Sequence, residues 1–311
     1  MTGDYDLVKE FLEFIEKVKE TPSEEFYGLS PLQMFKLLTF EDFKSLSPFL
    51  QFNKNIPEEK LLKTPILDLE EKLVGILKAN GGKLKLTKNK NLKLKDVNNL
   101  FFSCKIFENY EFHRGSEQKI TSEEAVTHLF RIRNIITFNR EFFEKGKRTL
   151  VFKEKEFIKH SSYERFLSYI DIAINSINWS YFYWDKFFYF IIQKGFLFSL
   201  YLLHKFGDIY RESEFYAQKF LEVFPLKSYW FSYDLPYYEE FFNEEEIEKL
   251  SRKDNEDERS LCYILRTFDL MEYFGFVDKK IEKEGPWRKK VFKKSEFFQD
   301  FVKFEVRMEI K

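Results

Sequence analysis

The sequence predicts a mainly helical α+β protein of short helices and small β-hairpins. Three observations predict it. Helix-start signals recur along the chain, an amphipathic helix followed by two short extended segments occurs three times, and a long aromatic-rich stretch has helical spacing. The composition is that of a folded chain, with 311 residues, 44% hydrophobic, 33% charged, 11 Gly and 8 Pro. It excludes fibrous, collagen-like and disordered classes. Two Cys exclude a disulfide framework and a Cys-based zinc cluster. Lys and Arg number 51 against 52 acids, so no global charge draws the chain to nucleic acid or membrane. The unusual count is 40 Phe, beside 17 Tyr and 4 Trp.

Residues 1–60 read as an N-terminal helical segment. Leu7, Phe11, Phe14, Ile15 and Val18 share one helical face. Asp4, Asp6 and Glu10, with no apolar run behind them, do not read as a signal peptide. Thr21-Pro22-Ser23-Glu24 and Ser30-Pro31-Leu32-Gln33 each put a capping hydroxyl ahead of a helix start. Thr121 with Glu124 and Ser161 with Glu164 are further capping boxes.

The three-fold pattern begins at residues 61–112. Leu69, Leu73, Ile76 and Leu77 form an apolar face that Asn80-Gly81-Gly82 terminates. Lys83 to Thr87 alternates strictly, as a half-buried strand does, and the turn at Lys88 to Asn91 leads to Leu92 and Leu94 as its return. In residues 113–160 the face is Ala125, Leu129, Ile132 and Ile136. Thr137-Phe138 then leads through Phe142 and Phe143 to a turn at Lys145-Gly146-Lys147 and a strand at Thr149 to Phe152. In residues 251–311 the face is Leu261, Ile264, Leu265 and Phe268. Phe274 to Val277 is the strand, Glu284-Gly285-Pro286 the turn and Lys290-Val291-Phe292 the return. Helix followed by hairpin is the outline of a winged-helix unit, so two or three such units are expected.

Residues 161–250 form an aromatic-rich helical region between them. Ile170, Ile174 and Ile177 are spaced for a helix, and Asn178 to Trp184 and Phe196 to Leu203 supply rings. Leu and Ile interleave those rings and few cations accompany them, so they read as a helical core, not a base-stacking platform. Gln193, Lys194 and Gly195 interrupt the apolar run Phe187 to Leu203, which is too short for a membrane span. Ser232 to Glu258 is acidic and reads as a solvated connector.

The chemistry-bearing residues are sparse. His113, His128, His160 and His204 have no partner at metal-ligand spacing, and Cys262 on an apolar helix reads as core. No phosphate loop, dinucleotide fingerprint or nucleophile elbow is present. No catalytic residue, metal or cofactor is assigned. An enzyme would need a deep site at His204, Tyr201 or Trp184 with converging carboxylates.

The local electrostatic feature is stronger. From Lys72 to Lys95 there is no acid, while Lys72, Lys78, Lys83, Lys85, Lys88, Lys90, Lys93 and Lys95 are basic. Lys83 and Lys85 share one strand face, with Leu84 and Leu86 toward the core. Lysines placed so can follow a phosphate backbone and carry little base specificity. An edge strand protected by lysine has the same appearance. Lys83, Lys85, Lys88, Lys90, Lys93 and Lys95 are therefore the expected nucleic-acid contacts. Lys145, Lys147 and Arg148, and Arg288, Lys289, Lys290, Lys293 and Lys294, are basic but stand closer to acids.

Several short segments carry a family resemblance. They are Leu29 to Met34 with Leu37-Leu38, Leu84 to Lys88 with Asn91-Leu92, Ser199 to Leu203 with Phe206-Gly207-Asp208, and Phe224-Pro225. They resemble uncharacterised bacterial proteins similar to the segment that accompanies plasmid open-reading-frame-three-like domains. The resemblance spans residues 26 to 300. Lys90 departs from the Gly expected there and Lys93 from a Pro. It implies a bacterial source and a link to mobile elements, and no mechanism.

Two functions stay open at this point. One is a non-enzymatic cytoplasmic regulator whose lysine-rich wing contacts the DNA phosphate backbone. The other is a protein-interaction scaffold, with a partner or a second copy of itself and no nucleic acid. Neither involves a membrane.

Overall fold

The helices form where sequence supplies both a cap and an apolar face. The computed structural model describes residues 19–108, 120–179, 189–224, 255–284 and 287–305, excepting the side chains of 189, 190, 255–262, 283, 284, 287 and 288. The expected helix at Leu7 to Val18, His113, Tyr181 to Trp184, most of the acidic connector, the Gly285-Pro286 turn and the Cys262 side chain lie outside the described residues. Ser30 accepts from the Gln33 N–H at 3.2 Å and Gln33 Oε1 accepts from the Ser30 N–H at 2.8 Å, which starts α1 (Pro31–Leu38). Ser161 and Glu164 make the same box at the start of α7 (Ser162–Asp171). Thr121 and Glu124 do not, since the helix that follows begins only at Thr127.

The element order repeats. The first run is α3 (Pro65–Ala79), β2 (Lys83–Lys85), α4 (Leu94–Ser103), α5 (Thr127–Phe138), β3 (Phe143–Lys145) and β4 (Thr149–Phe152). The second is α9 (Phe196–Phe206), β5 (Arg211–Glu212), α10 (Ser213–Val223), α11 (Asn255–Tyr273), β6 (Val277–Glu284) and β7 (Trp287–Lys294). Each run closes an antiparallel three-stranded sheet in which the last strand lies between the other two, in the orders β2-β4-β3 and β5-β7-β6. Before the first run stand β1 (Leu50–Phe52) and α2 (Glu58–Leu62). Between the runs stand α6 (Glu154–Phe157), α7 with a π turn at Ile172–Ser176, and α8 (Tyr189–Lys194). After the second run come α12 (Glu296–Phe301) and β8 (Val302–Phe304), and β8 pairs with β1.

The protein is thus a mainly helical α+β chain. Two expectations are corrected. Lys83 to Thr87 does not return through Leu92 and Leu94; its partner is β4, so residues 61–112 and 113–160 meet in one sheet. Leu94 instead opens α4, because Leu94, Val97, Leu100 and Phe101 repeat at helical spacing and the last three are buried. The faces read from sequence otherwise point inward. Leu69, Leu73, Leu77, Leu129, Ile132, Ile136, Ile264 and Phe268 are buried, whereas Leu265 is exposed.

The rings fill the interior. Phe166 on α7 meets Phe274, Phe276, Phe297 and Phe301 at centroid distances of 5.2 to 6.2 Å, so one helix ties the middle of the chain to its last third. Trp179 is buried, with its Nε1–H donating to the Ala173 carbonyl at 2.6 Å, and Phe196 to Leu203 is buried throughout. Gly195 separates α8 from α9; a Cβ there would stand 2.5 Å from the Phe220 ring. Among the described residues no helix is long and apolar enough to cross a membrane.

One carboxyl is buried inside this frame. Glu70 on α3 accepts from Tyr169 Oη–H and, at 3.1 Å, from Arg165 Nε–H, both on α7. Burial outweighs these partners and pushes Glu70 up from its ordinary 4.5 to about 7. A folded pKa above the unfolded one contributes stability below pH 4.5 that is lost as pH rises through 7. Chemical denaturation at pH 5 and pH 8 should show this as a difference of about 2 to 3 kcal/mol. The difference should shrink in Glu70→Gln, and an unchanged pH profile in that variant would contradict the assignment.

Candidate nucleic-acid interface

β2 is an edge strand, and its alternation is realised: Leu84 and Leu86 are buried, Lys83 and Lys85 exposed. Lys83 stands opposite Val151 and Lys85 opposite Thr149 in the register with β4. The Leu86 N–H donates to the Arg148 carbonyl at 2.9 Å, which brings the β3–β4 turn beside the end of β2. Exposed Lys147 and Arg148 therefore join the lysines read from the first segment. Glu144 on β3 is the carboxylate on the far side of the same sheet face.

After β2 the chain makes a tight turn. The Thr87 N–H donates to the Asn91 carbonyl at 2.9 Å and the Lys90 N–H to the Thr87 carbonyl at 3.0 Å, projecting Lys88 and Lys90 from its tip. Lys90 has a φ of +64°, a left-handed conformation that a glycine adopts without strain. Lys90→Gly should stabilise the fold by up to about 1 kcal/mol while removing one charge from the turn. Thermal denaturation alongside binding reads both effects, and a destabilised variant would contradict the strain.

The turn is held from a distance. Glu123 is buried, and the Leu92 N–H donates to its Oε2 at 2.6 Å. Arg133 on α5 donates to both oxygens of that carboxylate, Nε–H at 2.6 Å and Nη2–H at 2.8 Å. The Asn91 side-chain amide donates to Glu124 at 2.9 Å. The sequence reading assigned Glu124 to a helix cap and gave Glu123 no role. The signal for the observed arrangement is weak, two acids nine and ten residues before a helical Arg.

All six expected residues, Lys83, Lys85, Lys88, Lys90, Lys93 and Lys95, are exposed. Lys72 and Lys78 pair with Asp68 and Glu154, but none of those six makes an ion pair among the described residues. The second hairpin differs. Lys279 pairs with Glu272, Lys289 with Glu212, Lys293 with Asp278 and Lys294 with Asp208. A positive field is also felt beneath the first sheet. Lys145 is driven down to about 7, first by burial and then by Arg133, Arg140 and Lys90 nearby.

The helix that precedes this hairpin is not free to engage a ligand. On α5, Leu129, Ile132, Arg133, Ile135, Ile136 and Thr137 are buried. Arg131 pairs with Asp269 of α11, and His128 meets the Tyr273 ring edge-on. The remaining chemistry is of core type. His204 packs on Phe304 and Tyr201, and burial lowers its pKa. Cys104 is buried, which pushes its thiol up to about 11. Among the described residues no group of His, Cys, Asp and Glu converges as a metal set. Comparisons with protein-family models, curated proteins and solved structures find no match to this chain.

Proposed function

We propose that the chain is a non-enzymatic nucleic-acid-binding protein of two winged-helix-like units, acting in the cytoplasm as a regulator. Its first wing contacts phosphates through Lys83, Lys85, Lys88, Lys90, Lys93 and Lys95. The observation that carries this reading is the exposure of these six lysines, with no ion pair among the described residues, on one edge strand, the turn after it and the start of α4. A lysine used only to protect a sheet edge needs no such run beyond the strand, and this one continues through the turn to α4. Support for the unit assignment is the repeated order helix, strand, helix, helix, strand, strand with the last strand central. We count two such units, the lower of the two or three expected, since β2 pairs with β4 rather than forming a hairpin of its own.

The scaffold alternative would require a contiguous apolar surface. Exposed Phe35, Phe102, Ile158 and Ile209 lie on different segments of the chain. The deciding experiment is binding of labelled single-stranded and duplex probes at low and moderate salt, with Lys83/Lys85/Lys88→Glu as the variant. Absent binding of either probe at low salt, or binding untouched by the variant, would overturn the proposal.

A further inference from the structure

We infer that the nucleic acid this face takes is single-stranded, with a base stacked on Phe102; the inference rests on the phosphate reading above. In the order of elements, α5 holds the place of the helix that would enter a duplex groove. Six of its side chains are buried, only Phe138 is exposed, and Arg131 is committed to Asp269, so it presents little surface for reading a groove. The exposed helix of this unit is α4, which follows directly on the lysine turn. Lys95, Asn99 and Phe102 are exposed there and lie at i, i+4 and i+7, on one side of the helix.

Phe102 is 80% exposed, well above the other large apolar side chains in the same unit, while Phe101 beside it points inward. The two rings meet edge-on at 5.3 Å, which fixes one edge of Phe102 and leaves most of its surface uncovered. An uncovered ring gains nothing against a duplex backbone, whose bases are stacked inside. Against a single strand it offers a surface on which any unpaired base can stack. Lys95 and Phe102 are about 10 Å apart along the helix, a span that lets one strand place a phosphate at Lys93 or Lys95 and a nearby base at the ring. Asn99, between them, can donate to and accept from a base edge. Lysine supplies charge without sequence preference and the ring accepts every base, so recognition is by strand state.

The test uses the full chain and two labelled probes of equal length, an oligothymidylate and a mixed-sequence duplex, read by fluorescence anisotropy. Wild type should bind the single strand more tightly. Phe102→Ala should weaken single-strand binding roughly tenfold and Phe102→Trp should retain it, with duplex binding within twofold for both. Lys83/Lys85/Lys88→Glu should weaken both probes. If both probes bind but Phe102→Ala changes neither, or both equally, this inference falls and the phosphate reading stands. If neither probe binds at low salt, both fall. If Phe102→Ala changes only self-association in sedimentation, the ring is a protein contact and the inference is overturned.

Discussion

Lys83/Lys85/Lys88→Glu is expected to lose nucleic-acid affinity on the order of a hundredfold at low salt, with the fold intact. All three side chains are exposed and make no ion pair among the described residues, so their replacement removes no internal contact. Each lysine that neutralises a phosphate releases a counterion, and reversing the charge adds repulsion to the lost release. Leu84 and Leu86, which hold β2 on the core, are unchanged in the variant. Thermal denaturation should therefore overlay wild type within about 1 kcal/mol, as surface substitutions do. A loss of binding accompanied by unfolding would not count in favour of the phosphate contact.

Glu123→Ala should have the largest effect on stability, about 3 to 5 kcal/mol. It strips a buried guanidinium of both its short contacts and leaves the Leu92 N–H without its acceptor. Arg133 is 2% exposed, so water does not replace the carboxylate cheaply. Glu123→Gln keeps acceptor and shape and should cost less than Glu123→Ala. Equilibrium denaturation of both variants checks this, and a loss under about 1 kcal/mol for Glu123→Ala would contradict the buried pair. Because Glu123 also anchors the lysine turn, a Gln variant that folds but binds weakly would show that the turn needs its fixed shape.

Local signals were legible in the residues and non-local ones were not. The alternation from Lys83 to Leu86 foretold which side chains face out, because strand periodicity is a property of adjacent residues. The partner of that strand was not legible, since β4 lies far along the chain and nothing in either segment names the other. The hairpin at Lys145 to Lys147 was read correctly, being a short-range turn. Helix α4 was missed although Val97, Leu100 and Phe101 carry its spacing; the lysines before it drew the reading toward a second strand. Glu123 was missed for a physical reason: a buried carboxylate is defined by its partners, here an Arg on the next helix and a backbone amide in a distant turn. Of the candidate site, the charges were visible in advance, and the support that shapes them was not.

The central claim is that the lysine run forms one phosphate-binding face, and the salt dependence of binding tests it most directly. If most of the six lysines engage, log K against log salt should fall with a slope of about −3 to −4 on a single strand and −4 to −5 on a duplex, and the triple Glu variant should lose about 2 to 3 from that slope. A slope near zero in wild type, or the same slope in the variant, would contradict the claim.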